Sequence, residues 1–107
     1  MKKLYIVKTT RQFEDILKTG KCKKNKYFVL HEKSNNLKYD RFGISVSKKL
    51  GNAVFRNKYK RIIRSILDNY KKLYINNKDY IIILRKEAID CDYELLKKEL
   101  FSLINHN

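Results

Sequence analysis

The chain has 107 residues, room for one domain around one core, and its 26 Lys plus Arg against 11 Asp plus Glu leave a formal charge of +15. So much like charge repels itself in a compact state and points to an anionic partner. Cys22 and Cys91 stand far apart with only His31 and His106 as companions, which argues against a zinc site and for reduced thiols; no apolar stretch approaches the length of a membrane span. The N-terminal apolar run, Leu4 to Val7, is too short for a signal-peptide core, so the expected location is the cytoplasm.

In chain order, Thr9 with Gln12 three residues on fits a capping box, and Phe13, Ile16 and Leu17 fall at helical spacing before Gly20, which predicts a helix from about Thr10 to Thr19. Lys26 to Glu32 is rich in strand formers, Lys21 to Asn25 carries a weaker strand signal, and Ser34, Asn35 and Asn36 read as a turn. Arg41 to Ser47 alternates, with Phe42, Ile44 and Val46 on one side and Gly43, Ser45 and Ser47 on the other, the pattern of a half-buried strand. Gly51 and Asn52 can start a long helix from Ala53 to about Tyr74, its packed side formed by Phe55, Tyr59, Ile62, Ile63, Ile66 and Tyr70. Asn76 to Asp79 make a turn, Tyr80 to Leu84 an apolar run typical of a central strand, and Asp92 a candidate N-cap for a last helix. The order is helix, two or three strands, long helix, strand, helix; the strand from Arg41 and the strand from Tyr80, joined by the long helix, are expected to lie parallel.

Function concentrates between Arg41 and Arg64. This stretch holds Arg41, Lys48, Lys49, Arg56, Lys58, Lys60, Arg61 and Arg64 without one Asp or Glu. Arg56, Lys60 and Arg64 stand at i, i+4 and i+8, about 6 Å per step along a helix axis, close to the spacing of phosphates along a nucleic-acid strand. The bland alternative is a solvated face laced with ion pairs, and scattered lysines such as Lys2, Lys3, Lys71 and Lys72 read as compositional bias. Within the helix, however, only Asp68 lies four residues from any of these arginines, so intrahelical pairing does not account for the stripe.

The run SVSKKLGNAVFRNKYKRIIR, with RFGIS before it and DYIIILRK at Asp79 to Lys86, resembles the signature of the bacterial ribonuclease P protein component, and the resemblance covers almost the whole chain. It implies an α+β fold, a two-layer α/β sandwich of order α-β-β-β-α-β-α similar to the ribosomal-protein domain-2-like fold. It also implies a left-handed β-α-β crossover, against the right-handed rule for such connections. It further implies that the chain binds the ribonuclease P catalytic RNA and the 5′ leader of precursor tRNA, while the RNA, with Mg²⁺, performs the hydrolysis. No catalytic or metal-ligating residue and no obligate protein partner is then expected in this chain. The implied contact to the catalytic RNA falls on Arg56, Asn57, Lys58, Lys60, Arg61 and Arg64, flanked by Lys48, Lys49 and Asn52. The implied leader groove falls on Phe13, Leu17, Val29 and His31, where Leu17 and His31 depart from the aromatics common in relatives; Phe13 and Leu17 also fit a core position.

Three other classes compete, the weakest a DNA-packaging protein, against which stands the lack of any dimer arm or groove-inserting wedge in the sequence. A self-contained nuclease needs a base, an acid or a metal cluster, yet the two histidines are far apart and the acids mostly sit singly. A ribosomal or general RNA-chaperone module shares the charge and size, and only the motif separates it.

Overall fold

In the computed structural model, the structure describes Ile6, Val7, residues 9–69 and residues 77–105. Tyr70, the last expected turn of the long helix up to Tyr74, and Asn76 lie outside the described residues, as do Lys2, Lys3, Lys71, Lys72 and His106. The elements run α1 (Thr10–Thr19), β1 (Lys21–Lys24), β2 (Phe28–Ser34), β3 (Arg41–Ser45), α2 (Ala53–Asp68), β4 (Lys78–Leu84) and α3 (Tyr93–Asn105), with short 3₁₀ turns at Lys48–Leu50 and Lys86–Ala88. This is the α-β-β-β-α-β-α order, and the weakly signalled strand near Lys21 is β1.

Local chemistry sets the element ends. The Thr9 hydroxyl accepts from the Gln12 backbone N–H and the Gln12 side chain accepts from the Thr9 N–H, completing the expected capping box. Asn52 caps α2 through a hydrogen bond from the Phe55 N–H at 3.0 Å, and Asp92 caps α3 through one from the Leu95 N–H at 2.7 Å. Several element ends differ from expectation: β2 takes in Ser34 and β4 takes in Lys78 and Asp79, all three expected in turns, and β3 stops at Ser45, short of Ser47. The long helix ends at Asp68, with Asn69 at its C-cap and the Asn69 side chain donating to the Ser65 carbonyl and to the Tyr93 hydroxyl. Gly20 closes α1 in extended backbone, not in the left-handed conformation of a C′ glycine. A Cβ there would lie 2.6 Å from the carbonyl oxygens of Glu32 and Ile16, so its role is close approach.

The sheet order is β1-β2-β4-β3, antiparallel except for the parallel β3–β4 pair. The strand-helix-strand unit therefore joins neighbouring parallel strands, as expected. Phe28, Leu30, Phe42, Tyr80, Ile82 and Leu84 face α2 and α3, where they meet Tyr59, Ile63, Ile66 and Leu67 of α2 and Leu96, Leu100, Leu103 and Ile104 of α3. Phe42 and Tyr80, opposite each other in register, stack with ring centroids 5.4 Å apart. On the opposite face, Ile81 packs with Val7 and Ile16, joined by Phe13 and Ile83. β4 is thus buried on both faces, which is why it reads as an unbroken apolar run.

β3 is more buried than its alternation predicts. Gly43, on the side expected to be open, is buried because α1 covers it: a Cβ at this position would lie 2.5 Å from the Phe13 ring. Beside it, Arg41 grips Asp79 through two hydrogen bonds of 2.9 and 2.7 Å, and Asn35 donates to the same carboxylate at 2.8 Å. These contacts, together with the buried Asp40 accepting from the Lys78 backbone N–H, fasten the β2–β3 connection to the start of β4.

Candidate nucleic-acid interface

α2 lies with its Tyr59, Ile63, Ile66 and Leu67 side buried, and Asn57, Lys58, Arg61 and Arg64 are exposed. Lys60 and Arg56 sit at the edge of the packed side, half-buried, and the Nε of Arg56 is buried without a hydrogen-bond partner. Arg56 is therefore less available than a position on an open stripe would be. Lys48 and Lys49 are exposed in the 3₁₀ turn that leads into α2, where the Ser47 hydroxyl accepts from the Lys49 N–H. Asn52 is exposed, but its side-chain oxygen is engaged in capping the helix.

Among the described residues, the ion pairs take in Lys23, Lys33, Arg41, Lys78 and Arg85, and none takes in Lys48, Lys49, Arg56, Lys58, Lys60, Arg61 or Arg64. The acid-free reading of the Arg41 to Arg64 stretch needs one correction: Arg41 is neutralised by Asp79, an acid distant in sequence that no local pattern reveals. The Arg41 guanidinium is held above its ordinary value by that hydrogen bond, with burial opposing and the Asp79 charge adding to the rise. The other seven cations lie on or just before α2 and, among the described residues, have no carboxylate partner. Together they present a dense positive potential to any polyanion.

The second set of residues lies across the sheet. Directly opposed residues in a sheet point to one face, so the register rows Lys24–Val29–Ile83–Ser45 and Cys22–His31–Ile81–Gly43 belong to the face that α1 partly covers. Phe13 packs over Gly43 and Ile81 while lining a cleft, so its core and groove readings both apply. Leu17 is 37 % exposed, which removes the core reading for it. Val29 and His31 are half-buried on β2, and the His31 Nδ1 is enclosed without a partner.

Sequence reasoning passed over four residues here. Gly43 admits the Phe13 ring, Ile83 and Ser45 continue the Val29 row, and Val7 walls the cleft in which Phe13 and Arg64 both take part. A glycine in the middle of a strand was the available signal for a close approach. Because α2 and α1 lie on opposite faces, this cleft passes around the edge strand β3 and joins the cationic helix to the face beneath α1.

Among the described residues, no three His, Cys, Asp or Glu side chains gather in a set able to hold a metal ion, and no helix is long and apolar enough to cross a membrane.

Fold and surface together define a small basic α+β domain with a cationic helix bracketed by a parallel strand pair. The chain matches the Ribonuclease P family model over residues 1–107 and belongs to that family. It is 43 % identical over 105 residues to the ribonuclease P protein component of Mycoplasma capricolum subsp. capricolum, covering 97 % of this chain and 96 % of the relative. To that of Streptococcus agalactiae it is 42 % identical over 104 residues, 97 % of this chain and 94 % of the relative. The solved RNase P protein from Thermotoga maritima superposes with a TM-score of 0.87 at 33 % identity, covering 95 % of this chain and 96 % of that one. The Staphylococcus aureus RNase P protein superposes with a TM-score of 0.82 at 39 % identity, covering 94 % and 92 %.

Proposed function

We propose that this chain is the protein subunit of ribonuclease P, binding the catalytic RNA through the α2 surface and the 5′ leader of precursor tRNA through the face beneath α1. It assists the removal of the leader that yields the mature tRNA 5′ end. The observation that carries this reading is the set of seven cations on and beside α2 with no carboxylate partner among the described residues. Membership of a family whose relatives are named ribonuclease P protein component supports it.

On this reading Arg61, Arg64 and Lys58 neutralise phosphates of the folded RNA, arginine adding bidentate geometry. Lys48 and Lys49 extend the contact toward the α2 N-terminus, whose free N–H groups favour phosphate oxygens. Phe13 offers a ring face to a leader base, with Val29 and His31 completing the floor and Leu17 adding apolar contact in place of a second aromatic. Neutralising phosphates of catalytic RNA and substrate where they converge lowers their mutual repulsion and hence the Mg²⁺ needed to hold them together. Mg²⁺ and the chemistry belong to the RNA, and the subunit works in the cytoplasm with RNA as its partner.

Reconstitution tests this. The protein added to the cognate ribonuclease P RNA at low Mg²⁺ restores precursor-tRNA cleavage, and protein without RNA cleaves nothing. A triple alanine variant at Arg56, Arg61 and Arg64 fails to assemble; assembly at wild-type affinity would take α2 out of the mechanism. Equal affinity for ribosomal RNA fragments in competition would favour a general RNA chaperone instead.

A further inference from the structure

The cations of α2 form two rows. At about 100° per residue, Arg56, Lys60 and Arg64 lie on the flank that turns toward β3, and Lys58 and Arg61 on the flank that turns toward α3. The first row meets the Phe13 cleft through Arg64, whereas the second borders a separate groove. Two adjoining hollows make this groove and share Lys58, Ile62 and Tyr93; one continues to Arg61 and Ser65, the other to Asp90.

Tyr93, the first residue of α3, is half-exposed here, and its hydroxyl is pinned from α2 by Ser65 at 3.0 Å and Asn69 at 3.3 Å. A ring already held in place loses little freedom when something stacks on it. Asp90 is held in the left-handed region at φ 66°, its backbone N–H donating to the Tyr59 hydroxyl at 3.0 Å, and its exposed carboxylate borders the groove. The groove thus combines a fixed aromatic and an apolar neighbour with a carboxylate acceptor and two cations that, among the described residues, enter no ion pair.

We propose that this α2–α3 groove holds one unpaired nucleobase of the RNA partner. The base lies against Tyr93 and Ile62, its flanking phosphates rest on Lys58 and Arg61, and an exocyclic amino group donates to Asp90. Charge selects the occupant: an acidic peptide would satisfy the two cations but meet Asp90, whereas a nucleotide presents anions to the cations and amino hydrogens to the carboxylate. The inference rests on the RNA-binding reading above and adds to its phosphate contacts at Lys58 and Arg61 a base-stacking contact that lies away from the leader face.

Affinity for the ribonuclease P RNA, measured across a salt series, tests it. Tyr93→Leu lowers affinity by about 5- to 100-fold at fixed salt and leaves the salt slope unchanged, since no charge is lost. Tyr93→Phe keeps the ring and retains most of the affinity, while Lys58→Ala lowers the slope by about one phosphate. Ultraviolet cross-linking of the wild-type complex covalently joins a nucleotide to the peptide containing Tyr93, a readout independent of how the variants fold. If wild-type protein binds the RNA but Tyr93→Leu binds equally well, or the cross-link is absent, this site is overturned while the RNA-binding reading stands. If wild-type protein does not bind the RNA, both fall.

Discussion

Gly43 lies in the middle of an edge strand, and its missing side chain is what lets the Phe13 ring approach β3. A methyl group there would meet Phe13 Cε2 at 2.5 Å and Ile81 Cδ1 at 2.8 Å, so Gly43→Ala must displace the ring. The expected result is a loss of about 1 to 3 kcal/mol of stability from overpacking, with weakened affinity for leader-bearing precursor tRNA and unchanged affinity for the catalytic RNA. Comparing binding of precursor tRNA with and without its leader reads the difference; equal losses on both would separate Phe13 from leader recognition. At Arg41 the charge is structural. Arg41→Ala leaves the buried Asp79 carboxylate short of its cation and costs about 3 kcal/mol, and adding Asp79→Asn restores much of it, as measured by chemical denaturation. A cation whose value rises on folding stabilises the fold below its unfolded value and stops only as pH climbs through the folded one. This arginine therefore contributes constantly across neutral and mildly alkaline pH.

At the scale of elements, α2 depends on its first turn. Asn52 accepts from the Phe55 N–H, and Gly51 lies tightly against the Phe55 ring, so the helix start and the Lys48–Lys49 turn hold each other in place. Asn52→Ala removes the cap at a cost of about 1 kcal/mol, a fall of about 4 °C in Tm. Asn52→Asp keeps an acceptor and retains stability, yet places a negative charge beside Lys48 and Lys49. Reduced RNA affinity in Asn52→Asp without a drop in Tm is the expected pattern, and thermal melts beside binding curves check it. The far end of α2 is set by its C-cap: the packed positions named from periodicity run on to Tyr70, outside the described residues, while Asn69 turns its side chain back on Ser65 and across to Tyr93 where the helix ends at Asp68.

For the whole molecule, charge sets the behaviour. The net +15 is not spread evenly: several cations away from α2 are paired, Lys33 with Asp15 and Lys23 and Lys78 with the shared Glu32, while those on α2 have no such partners among the described residues. Binding through the free set releases counterions, so with roughly 6 to 10 phosphates engaged affinity falls by about 10³ to 10⁵ between 50 and 200 mM salt. A flat response in a salt titration would remove phosphate neutralisation from the account. Because the cleft at Arg64 rounds the β3 edge to Phe13, RNA bound on α2 and leader bound beneath α1 would occupy one continuous surface.

Much of this was legible in the chain itself. The capping box at Thr9, the cap at Asp92, the alternation through Phe42 and Ile44, and the crowding of cations on α2 all arise from neighbours within a few residues, and local spacing encodes such neighbours directly. The tertiary structure alone decided what depended on partners far apart in sequence. It tied Arg41 to Asp79, 38 residues away, buried Gly43 under α1, left Leu17 exposed, and set Tyr93 against Ser65 to open a groove beside Lys58. Sheet register and helix docking make those pairs, and a residue's spacing from its sequence neighbours carries no record of which distant side chain will meet it.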